Sequence, residues 1–348
     1  MNWLRTAGMG MAALFAGCSE TVDVFAPEED IWVVYGVLDP DAPAQDIRIS
    51  KVFQVEADAY AYAATRDFSA AGLRVYLEGG GSQYEARWVD SVRKDSAGDF
   101  GLYAGVYRFD TPAGARLRYG ERYTLTIVSD SGLQLSSQAR IPPRPVIVFP
   151  AVQTSGGDRC LPGAAFEDSV YVMFDADRDD LGVRAMRYEA RVRLAYYADG
   201  RPQQVLYRTR RLFDRTTGCA QSGGSGWLCY LYPAGQVLNG LRLQMEQTPA
   251  QLLQYDAQPR CGNLSASLSD AVQLQILAID TSLARYLLAN DPRQTDFTTI
   301  RTEYTNISGN ARAVGVFGAV SSDRMPVSLS PCSEYRLGLR REAPPGCL

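Results

Sequence analysis

The sequence predicts an all-β protein, with an N-terminal immunoglobulin-like β-sandwich followed by a second, larger β-rich domain with one or two short helices. Three observations carry that reading. Apolar, β-branched and aromatic runs of strand length recur through residues 31–141, with turn signals between them. Ile141-Pro142-Pro143-Arg144-Pro145 then interrupts the pattern, because proline cannot donate to a sheet ladder and favours a stiff, extended connector. Beyond it, in residues 142–348, the alternation resumes and six cysteines appear.

In order along the chain, Leu14-Phe15-Ala16-Gly17-Cys18 closes a short apolar run that follows a single charge, Arg5. A bilayer span needs about 20 apolar residues; residues 1–17 instead have the layout of a secretory signal. The cysteine after Ala16-Gly17 resembles the lipobox of bacterial lipoproteins, with Phe15 where leucine is commoner. That resemblance implies acylation at Cys18 and a mature chain that begins there and hangs from a membrane by its lipids. Several acyl chains at one residue suffice for stable anchoring. Residues 18–30 read as a short acidic tether.

Residues 31–141 hold the expected sandwich. Ile31 to Leu38 is its first strand, closed by the turn Asp39-Pro40-Asp41, and Ile47 to Phe53 suggests the second. Leu73 to Glu78 alternates and stops at Gly79-Gly80-Gly81, which reads as a hairpin turn. Tyr84 to Val89, Gly101 to Phe109 and Tyr123 to Val128 continue the series. Tyr107, Tyr119-Gly120 and Tyr123 resemble the closing strands of immunoglobulin-like and transthyretin-like modules, where a tyrosine anchors the corner. In the second domain, strands are expected at Val146 to Phe149, Ser169 to Phe174, Met186 to Tyr197, Gln204 to Phe213 and Leu241 to Met245. Thr248 to Tyr255 reads as a short helix with Pro249 in its first turn. Val272 to Ile279 is a strand, after which Asp280 or Thr281 caps a helix through Leu288, ended by Asn290-Asp291-Pro292. Ile300 to Ile307 and Ala313 to Val320 close the chain as strands.

Composition narrows the function. The 348 residues are 46% hydrophobic and 21% charged, with a formal net charge of −4. Without a basic stripe such a chain is not built for nucleic acid. There is no histidine, so Ser-His-Asp and Cys-His arrangements and imidazole-ligated zinc are excluded. Lysine occurs only at Lys51 and Lys94. Thirty-nine carboxylates always allow some pair at a glycosidase separation, but nothing singles one out, and no G-x-S-x-G elbow is present. The expectation is a non-enzymatic protein with no resident cofactor, calcium being the one ion considered.

The calcium reading rests on Asp175, Asp177, Asp179 and Asp180 between Phe174 and Gly182, where alternating aspartates in a turn present hard oxygens. A solvated turn leaving a strand is the plainer alternative. Trp227, Tyr230 and Tyr232 are the candidate binding residues, as an exposed aromatic platform for a sugar or a partner; core packing is the alternative. With Cys18 assigned to the lipid, six cysteines remain. In an exported chain they read as up to three disulfides. The preferred pairing is Cys219–Cys229, Cys332–Cys347 and Cys160–Cys261, because short loops close most easily. Buried free thiols are the alternative.

Three stretches carry a resemblance. They are the acidic tether leading into Val33-Val34-Tyr35-Gly36-Val37-Leu38, the strand and helix from Ile279 to Leu288, and Tyr304-Thr305-Asn306-Ile307 before Gly315-Val316-Phe317-Gly318-Ala319. In this order they resemble a Bacteroidota family of outer-membrane lipoproteins defined only as a domain of unknown function, whose genes often sit beside TonB-dependent receptors. The resemblance implies a lipid anchor in the outer membrane, exposed at the cell surface or on the periplasmic face, and a TonB-dependent β-barrel receptor as partner. The cysteine-bearing stretch from Arg201 to Gly262 has no counterpart in it. The leading expectation is therefore an accessory or binding lipoprotein. A carbohydrate-binding or adhesive module and a carboxylate-dependent hydrolase are the alternatives.

Overall fold

The computed structural model describes residues 31–52, 68–93, 103–110, 117–149, 161–164, 170–175, 187–198, 201–209, 212–213, 227–245, 272–290, 304–339 and 342–347. Cys18 lies outside them. The strands of the N-terminal part are β1 (Trp32–Leu38), β2 (Ala44–Lys51), β3 (Arg74–Gly79), β4 (Ser82–Glu85), β5 (Arg87–Arg93), β6 (Tyr103–Asp110), β7 (Arg122–Val128) and β8 (Gln134–Arg140). There follow β9 (Val146–Phe149), β10 (Leu161–Ala164), β11 (Val170–Asp175), β12 (Arg187–Ala198), β13 (Arg201–Arg208), β14 (Trp227–Tyr232) and helix α1 (Ala234–Met245). The chain ends with β15 (Val272–Ile279), helix α2 (Thr281–Ala289), β16 (Ser308–Gly309), β17 (Ala313–Leu329) and helix α3 (Pro331–Arg336). The fold is all-β with short helices. Among the described residues no helix is long and apolar enough to cross a membrane.

Among the described residues nine strands join in one large sheet, ordered β13-β12-β15-β17-β1-β2-β6-β5, with β10 also beside β17. Two smaller sheets, β16-β8-β7-β3-β4 and β14-β11-β9, face its two ends across separate cores. In the first core Val34, Ile47, Ile49 and Phe109 meet Val75, Leu77, Leu125, Ile127 and Leu135. Strand β1 shows how the sequence sets this, since its apolar Trp32, Val34 and Leu38 fall on every second position and face inward together. In the second core Val192, Leu194, Leu274 and Ile276 meet Val172, Phe174 and Tyr232, while α1 adds Val237, Leu238 and Leu241.

Strand β17 serves both cores. Its odd positions point inward, placing Phe317 and Ala319 in the first core and Met325 and Leu329 in the second. Val316 and Val320 face the other way and pack with Leu283 and Ala284 of α2. The expected division at residue 141 is therefore corrected: residues 31–348 form one unit. β1 takes β17 as its parallel neighbour, from Trp32 opposite Ala313 to Leu38 opposite Ala319. The first sandwich is thus completed by the C-terminal part of the chain. The proline connector is tied to that shared strand. Ser321 Oγ donates to the Pro143 carbonyl at 2.8 Å, and the Asp323 carboxylate accepts the Ile147 N–H at 2.8 Å and lies 3.3 Å from Arg144.

Other expectations are refined. Tyr84 to Val89 is not one strand, because the chain changes sheets at Ala86 between β4 and β5. Leu241 to Met245 alternates like a strand but ends helix α1, whose buried Val237, Leu238, Leu241 and Met245 recur at helical spacing. Residues 304–307 form no strand, while β8 and α3 were not expected. The tyrosine corner is present: the Tyr123 hydroxyl accepts the Arg118 N–H at 2.9 Å, five residues upstream. At the edge strand β13, the Gln244 amide of α1 bonds both the N–H and the carbonyl of Leu206, at 3.3 and 3.0 Å. A side chain thereby occupies an edge position that would otherwise invite another strand.

Candidate functional site

The outer face of the β13-β12-β15-β17 end follows from the same alternation that builds the core beneath it. On β12 the even residues Tyr188, Ala190, Val192, Leu194 and Tyr196 are buried, which turns Glu189, Arg191 and Arg193 outward. The strand registers place Arg208, Arg191, Gln275 and Arg324 in one row across four strands. The next row holds Leu206, Arg193 and Gln273. In the other direction Glu189 is followed by Leu277, and then Ile279 faces Val320. Polarity thus grades along the strands, from arginine at one end to aliphatic at the other.

These rows floor a cleft of about 770 Å³, within the roughly 300–1,000 Å³ of small-molecule sites. Helix α2 forms one wall through Leu283, Leu287 and Leu288, and Val37 and Asp39 close the side next to β1. Four arginines, Arg191, Arg193, Arg208 and Arg324, share the cleft with two carboxylates, Glu189 and Asp39. It is positive in a chain whose formal net charge is −4. Arg191 Nη2 lies 2.8 Å from Glu189 Oε2, with both side chains largely covered. Among the described residues no hydrogen bond or ion pair reaches the guanidinium of Arg193, Arg208 or Arg324. The Nε atoms of Arg191 and Arg193 and Thr209 Oγ1 are buried and unbonded. Buried polar groups are nearly always bonded, so such a cluster calls for an explanation. Burial raises the Asp39 carboxyl above its usual range, against a backbone bond from Asp41 and the nearby Arg324 and Arg191 charges.

Asp280 sets the position of the wall. It is the N-cap of α2, its carboxylate accepting the Leu283 N–H at 2.8 Å. The backbones of Ala319 and Arg140 bond the same carboxylate, so one side chain joins α2, β17 and the end of β8. Burial nevertheless pushes its pKa up to about 6. Gly318 lets α2 come close, since a Cβ there would lie 2.6 Å from Leu283 Cβ. Tyr286 of α2 donates to the Tyr35 hydroxyl of β1 at 3.1 Å, the two rings meeting edge to face. Nearby, the Asn306 side chain bonds both the N–H and the carbonyl of Phe317, at 2.9 and 2.6 Å. The β1, Ile279–Leu288 and Asn306–Gly318 stretches thus meet around one length of β17.

The residues singled out from sequence fare differently. Tyr230 and Tyr232 are no exposed platform: both belong to the second core, and Tyr230 stacks on Phe213 with ring centroids 4.9 Å apart. Their ring planes are the inward side of a strand whose partner sheet covers them. The Tyr232 hydroxyl donates to the Gln275 carbonyl at 3.1 Å, directly beneath the arginine row. Trp227 opens β14 opposite Asp175, and its side chain lies outside the described residues. Asp175 closes β11; Asp177, Asp179 and Asp180 lie outside the described residues, as do Cys160, Cys219 and Cys261. Cys332 and Cys347 form a disulfide with Cα atoms 5.3 Å apart, and Cys229 is disulfide-bonded. The arginine row was missed, although its signal stood in Arg187-Tyr188-Glu189-Ala190-Arg191-Val192-Arg193-Leu194, a strand with charges on every second position.

A family described as "Domain of unknown function (DUF4249)" matches residues 20–325. No curated protein matches the chain.

Proposed function

The chain, matched over residues 20–325, belongs to that family. From that premise we propose that the protein is a non-enzymatic lipoprotein of the outer membrane, displayed at the cell surface, which captures a ligand in its arginine cleft beside a TonB-dependent receptor. The anchor is supported by Leu14-Phe15-Ala16-Gly17-Cys18 and the acidic residues that follow. The capture function is carried by one observation: a cleft of about 770 Å³ presents four arginines, of which Arg193, Arg208 and Arg324 have no hydrogen bond or ion pair at the guanidinium among the described residues, together with leucines. Such convergent polar groups in a concave, partly apolar site are the features of recognition. Glu189, an acid in that cleft, is held by Arg191. Burial of Tyr230 and Tyr232 removes the support for a sugar-binding platform at those residues.

The test is a pull-down of the tagged full chain from gently solubilised native membranes, beside a Cys18→Ser variant. The proposal expects a stoichiometric β-barrel partner with the wild type, and a Cys18→Ser chain that leaves the membrane fraction. A wild-type chain recovered alone contradicts the partner. A variant that stays in the membrane contradicts the anchor.

A further inference from the structure

We propose that the cleft takes a small amphipathic carboxylate, its head across the row Arg208, Arg191, Gln275 and Arg324 and its tail past Leu277 and along Leu287. This rests on the reading of the protein as a ligand-capturing module and names the ligand's chemistry.

Electrostatics selects the head. Arg191 and Arg208 stand directly opposite each other on adjacent strands, an arrangement that destabilises a sheet through like-charge repulsion. Arg324 closes the same row on the far side of Gln275. Sequences break such a local rule where a site needs it. The guanidinium fork matches a carboxylate or a phosphate in two-point geometry. Glu189 and Asp39 decide between them, because two acids in the same cleft penalise a second negative charge on the ligand.

Strand register selects the tail. Side chains on one face of a strand repeat about every 7 Å along it. Leu277 lies one row from Gln275, so the apolar side of the cleft begins about 7 Å from the head, while Ile279 and Val320, two rows away, are buried beneath α2. Leu287 stands over that stretch from α2 and is 40% exposed, which leaves an aliphatic surface for a chain to cover. A simple inorganic anion would leave this half of the cleft unused.

The experiment is isothermal titration of the full chain carrying Cys18→Ser, which removes the protein's own acyl groups as competitors. The probes are octanoate, octanol, acetate and octyl phosphate. Octanoate is expected to bind at least about tenfold more tightly than octanol or acetate. Arg191→Gln and the more exposed Arg208→Gln each lower octanoate affinity about tenfold or more. Leu287→Asp weakens octanoate without changing the acetate response. Far-UV circular dichroism confirms that the variants fold, and Arg208→Gln and Leu287→Asp alter exposed side chains only. Octanol binding as well as octanoate, or arginine variants binding like wild type, overturns the proposal. Octyl phosphate binding about tenfold more tightly than octanoate overturns the choice of a carboxylate head. Failure here leaves the pull-down outcome untouched, because that reads Cys18 and the partner barrel rather than the cleft.

Discussion

The two ends of the large sheet carry arginine on the same outer face and treat it in opposite ways. At the β2-β6-β5 end, Arg108 reaches across to Asp46 through a two-point fork of 2.7 and 2.6 Å, and Arg87 reaches Asp110, with Nη2 at 3.2 Å from Oδ1. The Arg87 bond holds the Asp110 carboxyl below its usual range. Here β2 supplies the counter-ion of Arg108 and β6 that of Arg87, although the Nε of Arg48 on β2 is buried and unbonded. At the β13-β12-β15-β17 end, Arg208 faces Arg191, and of the four cleft arginines only Arg191 has a carboxylate within bonding distance among the described residues. The pleat, the twist and the residue type are common to both ends. What differs is neutralisation, and an arginine opposed by another arginine is held for an anion from outside the chain.

The largest effect expected tests whether the two ends share one strand in energy as well as in geometry. Phe317→Ala removes a fully buried ring from β17 and costs roughly 3–5 kcal/mol. Urea unfolding should shift as a single transition, because β17 feeds both cores; two separated transitions would break the link. Next is Asp280→Ala, which leaves the backbone donors of α2, β17 and β8 without their acceptor, at roughly 2–3 kcal/mol by the same measurement.

Asp280 also predicts a pH dependence. Its folded pKa of about 6 lies above the ordinary aspartate value of 3.8, so the folded state holds the proton more tightly than the unfolded state. Stability from this group is full below about pH 4 and is lost as pH rises through about 6, by an amount on the order of 3 kcal/mol. Urea midpoints at steps across that window check it, and Asp280→Asn should flatten this component. The sharper test of the comparison is Glu189→Gln, which removes the acid bonded to Arg191. A loss of roughly 1–3 kcal/mol is expected, with melting temperatures recovering more in sulfate than in chloride at equal ionic strength. The smallest effect is at the neutralised end, where Asp46→Asn should cost only about 0.2–1 kcal/mol and vanish in high salt.

Much of the fold was legible because period-2 alternation reports burial directly. Strands β1, β3, β7 and β15 and the Asp280-capped helix stood in the sequence as they stand in the structure. Strand β8 was hidden by its polar outward positions in Gln134-Leu135-Ser136-Ser137-Gln138-Ala139-Arg140. The stretch from Leu241 to Met245 misled because a short apolar alternation fits both periods until Val237 and Leu238 are counted with it. The joining of β1 to β17 was illegible, since pairing between chain ends leaves no local trace. The cleft was half legible. Alternating charges on β12 were visible, but their confrontation with Arg208 and Arg324 depends on registers that only the folded sheet supplies.

Arg191 and Arg208 at one end of the sheet await an external anion, while Arg108 and Arg87 at the other end are matched by Asp46 and Asp110. Octanoate titration of three chains, wild type, Arg191→Gln and Arg108→Gln, tests this contrast most directly. Arg108→Gln is expected to bind like wild type, and Arg191→Gln to lose about tenfold or more in affinity. Equal losses in both variants, or none in either, would contradict it.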